Sequence, residues 1–331
     1  MSAEQEPSSG GLAEALQGFS AEFAACWRRL PNKGLFLAPL AAWLVLFHFW
    51  GSSTFGYVDT PSLFGWMRNA YAGQDSPDSH GLLVPVVVLG LFWWKREELL
   101  RGPLRTWWPG LLLLAAALAL HLVGYVVQQA RLSIVALFLG IYALMGLAWG
   151  PRWLRAGFFP YFLLAFCVPM GSLAEPISFP LRLLVTQIVA GLSQGLFGFD
   201  VIRDGTQLTN AAQHYQYEVA AACSGVRSLI ATVAIALIYG FTTFPQWWQR
   251  LVLVASAFPL AVLGNVVRMM TIVIAAEAGG QSAGSYVHEG GPLGLLSLLP
   301  YVPAIAGLLV LGRWLERPPA GRASVPGDVP A

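Results

Sequence analysis

Charge is scarce in this chain. Only 11% of its 331 residues are Asp, Glu, Lys or Arg, against about a quarter in a soluble domain, which excludes a surface that faces water on every side. The formal net charge is +2, and the basic residues are scattered rather than patched, which excludes a nucleic-acid partner. Cysteine is scarce as well. Cys26, Cys167 and Cys223 form neither a disulfide framework nor a metal-ligand spacing, and the sequence implies no metal and no cofactor. The opening residues lack the ordered basic region, apolar core and cleavage site of a removable signal peptide. There is no internal repeat and no low-complexity tract.

What fills the chain is apolar. It is 56% hydrophobic with a mean hydropathy of +0.61, the composition of an all-α polytopic integral membrane protein, with membrane lipids as its first partners. The apolar runs place about eight transmembrane helices at roughly 35–50, 82–94, 107–127, 132–149, 156–170, 224–243, 251–275 and 292–312. The segment 177–198 carries Arg182, Thr186, Gln187, Ser193 and Gln194 among prolines and glycines, and reads as an amphipathic or re-entrant segment. Trp93-Trp94, Trp107-Trp108 and Trp247-Trp248 read as interfacial belts. The chain divides into a cytoplasmic, partly disordered N-terminal segment 1–34, a single membrane-embedded domain 35–312, and a cytoplasmic basic and Pro-rich tail 313–331. The ends, about 1–25 and 318–331, read as disordered.

Basic residues set orientation. With the N-terminus inside, every inner loop carries at least one Arg or Lys and the bias is about two to one toward the inside. Both termini are then cytoplasmic in a multi-pass protein of the inner, or cytoplasmic, membrane. The long segments 51–81 and 171–223 fall on the extracytoplasmic face. Asp204-Gly205 marks a turn between two partly alternating runs, and predicts a small extracytoplasmic hairpin.

Three reactive residues then share that face. Cys223 begins a helix, where free N–H groups and the helix dipole stabilise a thiolate. Ser224 and Gly225 keep the backbone beside it small, and Arg227 follows one turn later. Arg268 lies about 27 Å above Arg250 along its helix, a depth at which an arginine faces protein or a wet cavity, and Asn265 shares its face. The other reading of Arg268 is a structural pair with Glu277. His288 stands before the final span, where an imidazole takes a proton from a thiol and returns one to a leaving amine. Together they supply a nucleophile, a cation and a proton carrier. Cys26 and Cys167 read as small hydrophobes, and His48, His121 and His214 as interfacial or surface residues.

The strings Ala222-Cys223-Ser224-Gly225-Val226-Arg227, Asn265-Val266-Val267-Arg268, His288 and Ser79-His80-Gly81-Leu82-Leu83-Val84-Pro85 resemble, in this order, the motifs of the exosortase/archaeosortase family of membrane cysteine transpeptidases. The resemblance implies an exosortase-like domain over about 35–312, catalytic Cys223, Arg268 and His288, and supporting Arg227, Asn265, Ser224 and His80. It implies as partners membrane-anchored substrate proteins with a C-terminal sorting signal, a short motif such as Pro-Glu-Pro followed by a transmembrane helix and a basic cluster. Cleavage would pass through a thioester on Cys223. The acceptor nucleophile, and whether Arg268 meets the oxyanion or a substrate carboxylate, stay open. The alternative to an enzyme is a non-catalytic membrane component, or a transporter, in polysaccharide or lipid-linked sugar export.

Overall fold

The computed structural model describes residues 9–54, 58–73, 76–218 and 226–316. Their regular elements are helices apart from one small sheet. The stretch expected as one domain runs through two compact units, the first made of the chain up to Ala72 with Gly81–Pro169, the second of Gly73–His80 with the chain from Met170 onward.

The first unit contains α1 (Ser9–Arg29), α2 (Lys33–Phe49), α3 (Leu63–Ala72), α4 (Val84–Trp94), α5 (Arg96–Leu100), α6 (Gly110–Val126), α7 (Ala130–Trp149) and α8 (Pro151–Phe162). α6 and α7 form a hairpin, and α2 packs on α7. Gly140 makes that contact close, since a Cβ there would come within 2.2 Å of the Trp43 indole, whose Nε1 donates to the Leu137 carbonyl at 3.1 Å. His121 is not interfacial. It is buried, with Nδ1 3.1 Å from the Ser133 hydroxyl, because a polar ring inside an apolar bundle needs a partner. α1 also differs from the disorder expected to about residue 25. Leu16, Phe19, Phe23 and Trp27 recur at helical spacing, and such a stripe folds when it has something to cover. Here Phe19 and Phe23 pack on Trp93, and Glu22 pairs with Arg96.

The second unit contains α9 (Glu175–Phe197), β1 (Val201–Asp204), β2 (Gln207–Asn210), β3 (Gln216–Glu218), α10 (Val226–Thr243), α11 (Trp247–His288) and α12 (Tyr301–Glu316). α10, α11 and α12 run up, down and up. A Cβ on Gly240 would touch the Arg250 backbone, one on Gly307 would meet Leu260, and one on Gly312 would meet Tyr239. Small residues at crossings let apolar helices approach where there is no water to drive them together. Gln249 on α11 donates to the Leu315 carbonyl on α12 at 3.1 Å.

α9 is one unbroken helix, with no re-entrant turn. It runs in the same direction as α11, with Leu181 and Val185 beside Phe258–Asn265 and the Ser193 hydroxyl 3.7 Å from the Met270 sulfur. Three of the five polar residues that argued against a lipid-facing helix point inward, while Gln187 and Gln194 are exposed. Arg182, Thr186 and Ser193 are buried, Arg182 pairs with Glu175, and Leu184, Leu192 and Leu196 face out. Composition read along the chain could not show which face carried the polarity.

Among the described residues four segments are long and apolar enough to cross a membrane: Ala130–Trp149, Glu175–Phe197, Trp247–His288 and Gly294–Glu316. A fifth is Leu16–Arg29 with Lys33–Phe49 if that pair, bent by 101°, counts as one. Val84–Trp94, Gly110–Val126 and Arg227–Thr243 are apolar but shorter.

The sheet closes over the far half of α11. β1 pairs antiparallel with β2, from Val201 opposite Asn210 to Asp204 opposite Gln207, and Gly205 turns the chain with φ +58°. β3 pairs antiparallel with β2 on the other side. Val201, Leu208, Tyr215 and Tyr217 are buried against α9 and α11. Glu277 of α11 clamps the sheet, accepting from Asn210 Nδ2 at 2.8 Å and from the Tyr215 hydroxyl at 2.7 Å. Burial first, and then the Glu277 carboxylate, push the Tyr215 phenol up from its ordinary value. A raised acid stabilises the fold below its unfolded value of about 10 and loses that contribution as pH climbs further. Tyr215→Phe is therefore expected to cost about 1 kcal/mol near neutrality and to flatten the alkaline loss of stability, read from unfolding temperatures between about pH 8 and about pH 11.

Candidate active site

The antiparallel course of α10 and α11 brings Arg227, early in the first, to the level of Asn265 and Arg268, late in the second. α12 begins at the same end. Gly264 makes this possible, because a Cβ there would lie 2.1 Å from the Pro300 carbonyl oxygen, so only glycine admits the chain entering α12. The result is a cavity of about 160 Å³ lined by Arg227, Ser228, Asn265, Arg268, Ser297, Leu298, Pro300 and Tyr301. Among the described residues no carboxylate lines it.

Each guanidinium is anchored by one nitrogen to a main-chain carbonyl. Arg227 Nη2 donates to the Ser76 carbonyl at 2.7 Å. Ser76 belongs to a short loop also held by Asp78, whose buried carboxylate accepts from the backbone N–H groups of Met170 at 2.9 Å and Gly171 at 3.1 Å. His80 follows on this loop, with Nδ1 3.2 Å from the Pro77 carbonyl. Arg268 Nη2 donates to the His288 carbonyl at 3.2 Å. The Nε of both arginines and Nδ2 of Asn265 are buried without a hydrogen-bond partner among the described residues.

His288 reaches Arg268 because α11 breaks. From Arg250 to Glu277 it rises about 40 Å, more than a hydrocarbon layer of about 30 Å. Gly279 and Gly280 then leave helical geometry, Gly280 at φ +70°, ψ −168°, a region open essentially to glycine alone. The short helix after the break turns back. β3 holds it there: the Tyr217 hydroxyl donates to the Gln281 carbonyl at 2.7 Å, and Gln216 N–H donates to Gln281 Oε1 at 2.9 Å. The Tyr217 ring lies 6.4 Å from the His288 ring, centre to centre.

The structure thus gathers Arg227, Asn265 and Arg268 around one cavity and ties the His288 backbone to it. The His288 imidazole stands beside Tyr217 rather than among the lining residues. Cys223 and Ser224 lie outside the described residues. The chain enters their segment from β3 and leaves it at the start of α10, so both flanks end on elements of this site. The alternative pairing of Arg268 with Glu277 is absent, since Glu277 holds Asn210 and Tyr215 and no described ion pair contains Arg268. Ser228, Ser297, Tyr301, Ser76 and Asp78 were not singled out from sequence. Ser228 carried a weak signal as the neighbour of Arg227. The others join through contacts 20 or more residues away. Among the described residues no three His, Cys, Asp or Glu side chains lie together as metal ligands.

Two glycine substitutions separate the devices that build this site. Gly280→Ala has room but the wrong backbone angles, so a local strain of about 1–3 kcal/mol should displace His288 and cut activity while the global unfolding temperature changes little. Gly264→Val should instead lower the unfolding temperature, because overpacking against Pro300 costs about 1–3 kcal/mol or more.

No curated protein and no solved structure matches this chain. The family description for transmembrane exosortases matches residues 66–299, more than half of the chain, and that stretch contains every residue of the site described above except Pro300 and Tyr301. The chain belongs to the transmembrane exosortase family of membrane proteins.

Proposed function

We propose that this exosortase is a cysteine protease/transpeptidase that cuts C-terminal sorting signals of exported, membrane-anchored proteins through a thioester on Cys223. The observation that carries the reading is the meeting of Arg227, Asn265 and Arg268 at the end of the bundle where α10 starts, three residues after Cys223 in the sequence. In this mechanism the Cys223 sulfur bonds to the scissile carbonyl carbon as its proton passes to His288. Arg268 lies nearest the developing negative charge on the carbonyl oxygen, where a preplaced cation acts in a poorly screened site. The C–N bond breaks, and His288 returns the proton to the leaving amine. An incoming amine or water then takes the acyl group and frees the thiol. Tyr217 and the Gly279-Gly280 break hold His288, and the Asp78 loop presents His80.

The same reading sets the cell geometry. The arginine cavity, the sheet and Cys223 face the extracytoplasmic side of the inner membrane. The termini are cytoplasmic, and the eight spans include the short apolar helices but not α9, which in this reading packs along α11 without crossing from face to face. A transporter reading receives no support from the cavity, whose charged residues are both arginines, whereas intramembrane carboxylates are the usual mark of ion-coupled transport.

Processing of a co-expressed tagged protein with a motif–helix–basic tail should stop in Cys223→Ala. It should fall by about 10²–10³-fold in Arg268→Gln, the range seen when an oxyanion donor is removed. Undiminished processing in Cys223→Ala would overturn the catalytic assignment. Reporter fusions at residues 205 and 213 should report an extracytoplasmic location, and a cytoplasmic signal would overturn the orientation.

A further inference from the structure

A second cavity, of about 330 Å³, lies within the first unit between α1, α4, α5 and α8. α1 meets α2 at 101°, so it crosses the end of that helix instead of extending it. Phe23, Cys26 and Trp27 of α1 form one wall, and Leu89, Trp93 and Trp153 stand on the others. The lining is apolar, with Arg96 as its one charged side chain. Two cations sit on its aromatic rings. The Arg96 guanidinium lies 4.6 Å from the centre of the Trp93 ring, and Lys33 Nζ lies 5.6 Å from the centre of the Trp27 ring. Arg96 is paired with Glu22, whereas Lys33 is half-buried and no described ion pair contains it. A partly desolvated ammonium attracts an anion more strongly than one in water. The wall has a second unmet need. Trp153 is 8% exposed and its indole N–H is buried with no acceptor among the described residues, and a buried donor left unpaired is costly.

We propose that this cavity holds one anionic glycerophospholipid, with an acyl chain between α1 and α4, an ester carbonyl toward the Trp153 N–H and the phosphate at Lys33. The occupant needs an apolar body, an acceptor beside it and a negative charge, and this class of molecule carries all three. A soluble anion lacks the apolar body, and an apolar helix lacks the charge. The wider charge agrees. The stretches 26–34 and 94–106, which supply half of the lining, contain seven basic residues against Glu97 and Glu98, and such juxtamembrane clusters attract anionic headgroups. An ammonium binds phosphate as a point charge and needs no forked geometry. Trp27 and Trp93 then stand at headgroup depth, where amphipathic rings are at home. The bound lipid completes the packing of α1, whose stripe of Phe19, Phe23 and Trp27 stays 37–51% exposed. The orientation proposed above puts this site in the cytoplasmic leaflet; the site itself rests on neither that orientation nor the peptidase reading.

Cys26 reports on the cavity it lines. The full-length Cys223→Ala chain leaves Cys26 and the 1% exposed Cys167. It is freed of lipid in neutral detergent, as checked by native mass spectrometry. Alkylation of Cys26 by N-ethylmaleimide, assigned by peptide mapping, is then followed as phosphatidylglycerol, phosphatidylcholine with the same chains, or laurate is added. Phosphatidylglycerol should slow the reaction saturably, at a mole fraction about fivefold below the one phosphatidylcholine needs, the worth of one lysine at an anionic lipid surface. Lys33→Gln should abolish that advantage, leaving the response to phosphatidylcholine and the lipid-free unfolding temperature unchanged, and Lys33→Arg should keep it. Equal responses to the two phospholipids in the parent, an advantage that survives in Lys33→Gln, or no protection by either would overturn the proposal. Protection by laurate alone would mark a fatty-acid site and overturn it as well. So would a lipid-free chain whose Cys26 does not react, because the protein itself then fills the cavity.

Discussion

A guanidinium inside an apolar helix bundle has to find acceptors, and the second unit is arranged around two of them. Arg227 and Arg268 each spend one nitrogen on a backbone carbonyl, Ser76 in one case and His288 in the other. Those carbonyls lie on the two segments that need fixing, the loop before His80 and the helix turned back by Gly279-Gly280. Charge that hydrocarbon cannot solvate thus serves as a tether, and what remains of each guanidinium borders the cavity. Losing either arginine would release a segment as well as a charge, so structural and chemical roles at these positions do not separate cleanly.

The supporting packing works by close approach. Gly264 admits the Pro300 carbonyl, Gly307 and Gly312 admit Leu260 and Tyr239, and Gly284 admits the Tyr217 hydroxyl. Where there is no water to expel, helices gain stability from such contacts and from hydrogen bonds between them. The Glu277 clamp on Asn210 and Tyr215 then fixes the sheet from which the chain leaves toward Cys223. The segment that carries Cys223 joins two anchored elements of the sequence, β3 and α10.

Much of this was legible in the sequence because it is written at short range. Apolar runs marked α2, α4, α6, α7, α10, α11 and α12, and Asp204-Gly205 marked the turn between β1 and β2. The spacing of Asn265 and Arg268 put both on one face. What the sequence did not reveal depends on partners far along the chain. Ser297 and Tyr301 join the cavity only because α12 folds back onto Gly264, and Asp78 matters only through Met170 and Gly171. Arg182, Thr186 and Ser193 of α9 suggested a helix unsuited to lipid until the structure turned them inward. His121 was read as interfacial because Ser133, its partner, is brought to it by a helix hairpin. α1 was read as disordered because its aromatic stripe is unremarkable until Trp93 lies under it.

The central claim is that Cys223 carries the acyl group at the end of the bundle where these arginines meet. The most direct measurement is the intact mass of the enzyme isolated during turnover of a tagged substrate, followed by peptide mapping. The account predicts a substrate-derived acyl adduct on Cys223, removed by neutral hydroxylamine as a thioester is, and absent from Cys223→Ser under that treatment. Continued processing with no adduct on Cys223, or with the adduct on another residue, would contradict it.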